Sequence, residues 1–423
     1  MSNTPQLSRR AFLRSTMIAL GGSLLAACQA TGPVPPTQPT QPPAQPVATT
    51  APAAPASAGN TVKIGAVVPV TGRYAALGEQ VKNGYELAFE DLNKTSKIQL
   101  EMKLLDDESD PTKTVQRLES LTSSDQVLAY LGGAGSDLHA AAAAIGDKNR
   151  TPYLGIGFAL YQVHQRGLKY LFSPFPKSPQ LSKAIFDLLE TLSPKPTKVA
   201  IFAEKTDWGA ELGSIWKQDA GSRGYEVVSS DEYSPGAKDF SSMLQKAKGA
   251  NAEVALALPS PPDGLAIAKQ MKELDFAPNV AEFIRASDGL SWAQNLGKDG
   301  DFFMNAPGWS PQLKYPGVAE LRDRHQATYN KPAEALVGAA YAAVQVLFDA
   351  VNRVGKPDRD ALRDALAATD LQTVAGPVKF NSDGTGQVVT VMNQWVDSKQ
   401  VLVWPKDQAA APLAYPAKPW SER

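Results

Sequence analysis

Residues Val127–Ala159 read VLAYLGGAGSDLHAAAAAIGDKNRTPYLGIGFA: an apolar run, a glycine turn, an alanine-rich stretch, a second apolar run and a second glycine turn. The aliphatic runs have strand length, whereas the segment between them is too helix-prone to be a strand. The stretch therefore predicts a βαβ unit. In an open parallel sheet, ligands bind in the crevice beyond the carboxyl ends of the strands. Both turns, Gly132–Asp137 and Gly155–Ala159, fall at such ends. The first also opens a helix, whose free N–H groups attract an anion. The plainer alternative is a tight turn at Gly132, Gly133 and Gly135 with Ser136 or Asp137 as an ordinary N-cap.

The same rhythm runs through the rest of the body. Val62–Val70 (VKIGAVVPV) is an apolar run of the kind buried in parallel sheets, and Ala76–Leu92 follows it with helical periodicity. Ile98–Leu105 alternates as a strand and ends in the acidic run Asp106-Asp107-Glu108-Ser109-Asp110. That run lacks the central Gly and terminal Glu of an EF-hand calcium loop. Asp110 before Pro111 reads instead as an N-cap with proline in the first helical turn. Further strands are expected at Lys198–Ala203, Glu226–Ser229, Val254–Leu258 and Glu282–Ile284, with helices between them and an apolar helix at Ala333–Val354. Gly376–Phe380, Gln387–Val396 and Gln400–Trp404 read as strands. Alternating βα with a short β tail predicts a doubly wound α/β architecture in two halves.

A chain of 423 residues is long for one domain, and a net charge of −1 gives no basic field for nucleic acid. A single cysteine, Cys28, excludes an internal disulfide framework and a cysteine metal cluster. The three histidines have no zinc-ligand spacing. His164 and His325 are expected as solvated surface groups, and His139 as facing solvent or a cleft rim. No cofactor or metal is indicated.

Ser8-Arg9-Arg10-Ala11-Phe12-Leu13 precedes an apolar stretch, Met17–Ala27, too short to span a bilayer. The paired arginines resemble a twin-arginine export signal, and Leu25-Ala26-Ala27-Cys28 resembles a bacterial lipobox. The resemblance implies cleavage after residue 27 and lipid on Cys28, a membrane anchor of two or more chains. Residues 28–61 are almost uncharged and rich in Pro, Ala, Thr and Gln, which predicts an extended tether.

Further motifs carry a resemblance that spans almost all of Val62–Lys406. They are Lys63-Ile64-Gly65 through Val70-Thr71-Gly72, Leu105-Asp106-Asp107, Thr206-Asp207-Trp208-Gly209, Lys238-Asp239-Phe240-Ser241 and Ala339-Ala340-Tyr341-Ala342-Ala343. In this order they resemble the leucine/isoleucine/valine-binding family of type I periplasmic binding proteins, the solute-binding subunits of ABC importers. The resemblance implies two Rossmann-like lobes of doubly wound parallel sheet joined by a three-strand hinge. Lobe one is expected at 62–178 plus 306–372, lobe two at 179–305 plus 373–406, and a C-terminal tail at 407–423.

The resemblance also implies a site. The hydroxyl that holds a ligand carboxylate falls on Ser136, and a backbone contact on Gly157. A second hydroxyl position falls on Ala159, which has no donor to offer. The covering aromatic from lobe two falls on Trp208, the acid for a ligand ammonium on Asp288, and an aromatic wall position on Leu77, with Tyr74 near enough to replace it. A charge left unpartnered would cost several kcal/mol, so either backbone N–H groups and Arg285 compensate or the ligand is not a standard amino acid. Phe158, Tyr161 and Trp208 are candidate stacking surfaces; Asp288 could instead cap a helix at Gly289. The implied partners are a small apolar or aromatic solute, a permease with its ATPase, and the membrane through the lipid. A ligand-sensing partner of a membrane receptor is the alternative on the same fold. A hydrolase using Ser136 or Ser287 lacks the G-x-S-x-G elbow.

Overall fold

A computed structural model describes residues 61–423. The export signal, Cys28 and all but the last residue of the tether lie outside the described residues. The first lobe is built on β1 (Val62–Val68), β2 (Leu100–Asp106), β3 (Tyr130–Gly132), β4 (Tyr153–Leu154) and β5 (Leu171–Phe172), in the all-parallel order β2-β1-β3-β4-β5. In β1 every residue except Lys63 is buried, as a central strand covered on both faces must be. Helices α1 (Ala75–Asn93), α2 (Pro111–Ser123) and α3 (Ser136–Lys148) are the crossovers. Asp110 caps α2 through Thr112 and Lys113 N–H groups, with Pro111 in the first turn.

The second lobe repeats the plan. The strands β6 (Lys198–Glu204), β7 (Glu226–Tyr233), β8 (Val254–Ala257), β9 (Val280–Phe283) and β10 (Phe303–Asn305) lie in the order β7-β6-β8-β9-β10, again parallel. Helices α4 (Ser178–Leu189), α5 (Asp207–Ser222), α6 (Ser241–Gly249), α7 (Pro261–Glu273) and α8 (Ser291–Leu296) cover it. The chain then returns to the first lobe with α9 (Val318–Tyr329), α10 (Ala335–Val354) and α11 (Arg359–Ala367). Helix α10 is long and apolar enough to cross a membrane, yet all its Ala, Val and Leu side chains except Val354 are buried, with Phe348 edge-on to Phe89 of α1.

A small sheet, β11 (Asp370–Thr373), β12 (Gly376–Phe380) and β13 (Gly386–Gln387), corrects the expected boundary. Val374, Val378 and Phe380 join the core of α1 and α10, and Ser173 bridges to Thr385. Residues 376–387 therefore sit with the first lobe rather than the second. The alternating pattern identifies a strand but not the sheet that receives it. Only β14 (Met392–Val396) and β15 (Lys399–Trp404) extend the second sheet, antiparallel beyond β10. The 407–423 tail lies along that lobe: Ala414 N–H donates to the Gln394 side chain at 2.8 Å and the Trp420 indole to Phe276 O at 3.0 Å.

The chain crosses between lobes near 173–178, 306–309 and 388–391. Both sheets change winding direction beside their first strand, which opens a crevice between β1 and β3 and between β6 and β8. The two crevices face each other. One apolar core is continuous across them and contains Phe158, Leu181, Trp208, Ile284 and Ala306.

Candidate functional site

The first lobe contributes the two glycine turns. Gly135 has φ +114°, and a Cβ there would lie 2.7 Å from the Tyr74 ring, so both the conformation and the space require glycine. Gly157, at φ +65°, closes the second turn. The turns are tied to each other: Gly135 N–H donates to Gly157 O at 3.1 Å, and Ala159 N–H donates to Ser136 Oγ at 3.3 Å. Neither Ser136 nor Asp137 acts as the N-cap of α3. Gly135 holds that position without a side-chain bond, so the Ser136 hydroxyl proton stays available to a ligand.

The second lobe contributes Trp208, Arg285 and Asp288. Thr206 caps α5 through Gly209 N–H, which places Trp208 in the first turn, and its indole N–H donates to Ser178 Oγ at 3.2 Å. Arg285 has φ +74°, a strained position for a residue with a Cβ. Its guanidinium donates to Glu204 and Leu258 O at 2.8 Å, and to Pro259 O and the Tyr74 hydroxyl at 3.1 Å. Burial works against its charge, but Tyr74 and Glu204 outweigh that and raise its pKa. Asp288 is 5% exposed, and its Oδ1 has no hydrogen-bond partner. It caps no helix, since α8 begins at Ser291 with no side-chain cap. Burial pushes its carboxyl up to about 7. Deeper in the same lobe, burial and then the nearby Asp288 charge push Glu282 up to about 8.

These groups meet around a narrow pocket with about 30 Å³ of free space. Leu77, Ser136, Gly157, Phe158, Ala159, Trp208, Arg285 and Asp288 all line it, with Phe175, Leu181, Ile284, Ala306 and Leu336 filling the apolar remainder. That space is far below the range of about 300–1,000 Å³ typical of ligand pockets, so a molecule of amino-acid size fits only if the lobes part. Tyr74 lines an adjoining cavity of about 240 Å³ rather than this one. There its hydroxyl donates to Asp137 at 3.0 Å, while Arg73 pairs with Asp137 at 2.6 Å and reaches Glu204 of the other lobe at 3.6 Å. The lobes are thus latched by charge beside a largely apolar pocket into which the Asp288 carboxyl brings one oxygen without a partner.

Four expectations need correction. Tyr161 does not line the cavity; its hydroxyl donates to Asp383 at 3.3 Å in a separate cleft, and its backbone N–H donates to Glu211 of α5 at 2.7 Å. His164 and His325 are 2% and 1% exposed, not solvated, and His139 is likewise buried at 1%. The His139 Nδ1 lies 2.8 Å from Gly135 O, and its ring stacks on Phe158 at 4.2 Å, so it forms no Ser136–His pair. Burial of the rings pushes His139 down to about 4 and His164 to about 3. Lys177, Glu204, Phe175, Leu181 and Leu336 were not anticipated at all. Lys177 sits in a Pro- and Ser-rich connection, where lysine ordinarily reads as surface.

A family model described as periplasmic binding protein matches residues 61–398. Leu/Ile/Val-binding protein homolog 8 of Brucella abortus is 27% identical over 379 residues, covering 84% of this chain and 93% of the relative. Homolog 7 of the same organism is 26% identical, covering 84% and 94%. A leucine-binding protein from Thermotoga maritima superposes with a TM-score of 0.74 at 22% identity, covering 81% of this chain and 97% of that one. An ABC-transporter solute-binding protein from R. palustris in complex with benzoate gives 0.73 at 20% identity, covering 85% and 98%. At such identities the structural likeness speaks for the fold, and the family match speaks for descent. The chain belongs to the periplasmic binding protein family.

Proposed function

We propose that this chain is the extracytoplasmic solute-binding subunit of an ABC importer of the branched-chain amino acid type. It captures a small apolar amino acid or a related solute between its lobes and releases it unaltered. The observation that carries the reading is the pocket between the lobes, lined by apolar side chains apart from the Ser136 hydroxyl, Trp208, Arg285 and the Asp288 carboxyl, whose Oδ1 has no partner. A buried carboxylate oxygen without a partner is costly, and a ligand ammonium would relieve it. The ligand carboxylate would take the Ser136 hydroxyl proton and any Arg285 N–H left free, in place of a hydroxyl at Ala159. Leu77, Phe158, Phe175 and Leu336 would hold the side chain, with Trp208 covering it.

Closure is driven only by contacts made with both lobes at once. Ser136 and Gly157 dock the solute on the first lobe, and Trp208 with Asp288 clamps it from the second. The names of the Brucella relatives and the leucine-binding neighbour support an aliphatic amino acid. The benzoate complex supports a second reading, an aromatic acid stacked between Phe158 and Trp208; Asp288 weighs against it, because an acid without an amine would meet a buried carboxyl. Lipid on Cys28 would anchor the protein at the membrane beside a permease and its ATPase.

Calorimetric titration of the purified protein with L-leucine, L-isoleucine, L-valine, L-phenylalanine and benzoate tests this. We expect an aliphatic amino acid to bind, and Trp208→Ala to weaken it by about tenfold or more. Failure of every amino acid to bind, or an unchanged affinity in Trp208→Ala, would refute the reading.

A further inference from the structure

We propose that Lys177 is a positioning residue for solute capture, fastening the docking turn of the first lobe to the crossing on which the lobes hinge. The inference rests on the cavity being the solute site. Lys177 is 1% exposed and stands at the end of the first crossing, just before α4. Its ammonium donates to Phe158 O at 2.8 Å and to Ser173 Oγ at 2.7 Å, and lies 3.6 Å from the centre of the Phe158 ring. Ser173 Oγ in turn donates to Gly155 O at 2.7 Å. Lys177 therefore holds the Gly155–Ala159 turn near both ends, one end directly and the other through Ser173.

The next residue completes the link. Ser178 N–H and Oγ both reach Ala159 O, at 2.8 and 3.0 Å, and Ser178 Oγ accepts the Trp208 indole N–H. Two adjacent residues of the crossing thus hold the first-lobe turn and the second-lobe tryptophan together. Rotation at this crossing moves the turn with it, so the Ala159 N–H and the Phe158 ring stay in register with the hinge.

Packing alone does not account for a lysine here. Among the described residues no carboxylate lies within ion-pair distance of it; Glu211 and Asp383 favour its charge only from farther off, and a buried ammonium without a close ion pair costs stability that an apolar chain of the same length would not. What the ammonium adds is three directed contacts, two hydrogen bonds and a cation–π contact with the Phe158 ring, to a turn that otherwise offers only backbone. Burial also lowers its pKa well below the ordinary lysine value, against the weaker opposing pull of Glu211 and Asp383.

Lys177→Met keeps the length and removes the donors. We expect L-leucine affinity to fall about tenfold or more, as for loss of hydrogen bonds to a charged group. The melting temperature should hold or rise, because the unpaired charge is gone. In solute-free protein, amide hydrogen exchange across Gly155–Ala159 should speed up about tenfold while α5 exchanges as before. Ser173→Ala should loosen the same amides less. Unchanged exchange at Gly155–Ala159 in both variants overturns the proposal, as does a melting temperature that falls in step with affinity. If the unaltered protein binds none of the amino acids tested, the proposed function fails, and the exchange data still decide whether Lys177 holds the turn.

Discussion

Glu282 offers the sharpest test of the electrostatics beneath the cavity. It lies in β9 with Leu256 and Met304 as its neighbours across the sheet, fully buried, and neither carboxylate oxygen has a partner. Burial, then the charge of Asp288, pushes its pKa from the ordinary 4.5 to about 8. In the unfolded chain the proton leaves near 4.5, whereas in the fold it stays until about 8. The folded state therefore holds the extra proton across that window, and stability falls as pH rises through it, by about 1.4 kcal/mol per pH unit. The full window corresponds to about 5 kcal/mol, and relaxation around the charge reduces that to about 3–5 kcal/mol. Glu282→Met keeps the unbranched shape and removes the ionisable group. Its advantage over the unaltered protein should therefore grow by about 3–5 kcal/mol between pH 4.5 and pH 8.5 and level off above. Asp288, shifted in the same direction to about 7, leaves a residual slope in both proteins. Guanidinium unfolding at pH 4.5, 6.5 and 8.5 reads the difference. An advantage equal at all three values, or a variant less stable at pH 8.5, would show that Glu282 is not held protonated by its surroundings.

Two further outcomes follow from the buried charges. Glu204→Gln removes the carboxylate that pairs with Arg285 at 2.8 Å in full burial; unfolding stability should drop by about 3 kcal/mol, and a loss below about 1 kcal/mol would mean that Tyr74 and the backbone carbonyls satisfy Arg285 unaided. His164 is kept neutral in the fold down to about 3, while in the unfolded chain it takes a proton near 6.5, so stability falls as pH drops below 6.5. His164→Phe should flatten that acid limb, and an unchanged slope between pH 6.5 and 4 would place the titration elsewhere.

Much of this molecule is legible along the chain because the signals are local. Six buried residues of seven make β1 an interior strand, and Asp110-Pro111 writes the start of α2 in two letters. The glycines of Val127–Ala159 announce a turn that must approach something closely, and Gly135 meets the Tyr74 ring there. Residues carried over on family motifs, Leu77, Ser136, Gly157, Ala159, Trp208 and Asp288, converge on one cavity together with the stacking candidate Phe158, because α/β topology brings the carboxyl ends of strands together whatever lies between them.

What the sequence left open is the fate of each polar side chain. Gly376–Phe380 is a strand by its alternation, yet only packing against Phe172 and the α10 core assigns it to the first lobe. Lys177 and the three histidines look like surface residues by type, and each is buried. The partners of Arg285 lie 81 and 211 positions away, at Glu204 and Tyr74. Composition and periodicity fix which segments become strands and helices. Whether a charge is solvated, paired or stranded depends on atoms distant in the chain; burial, joined by the Asp288 charge at Glu282 and opposed by Arg285 at Asp288, then shifts both carboxyls up by several pH units.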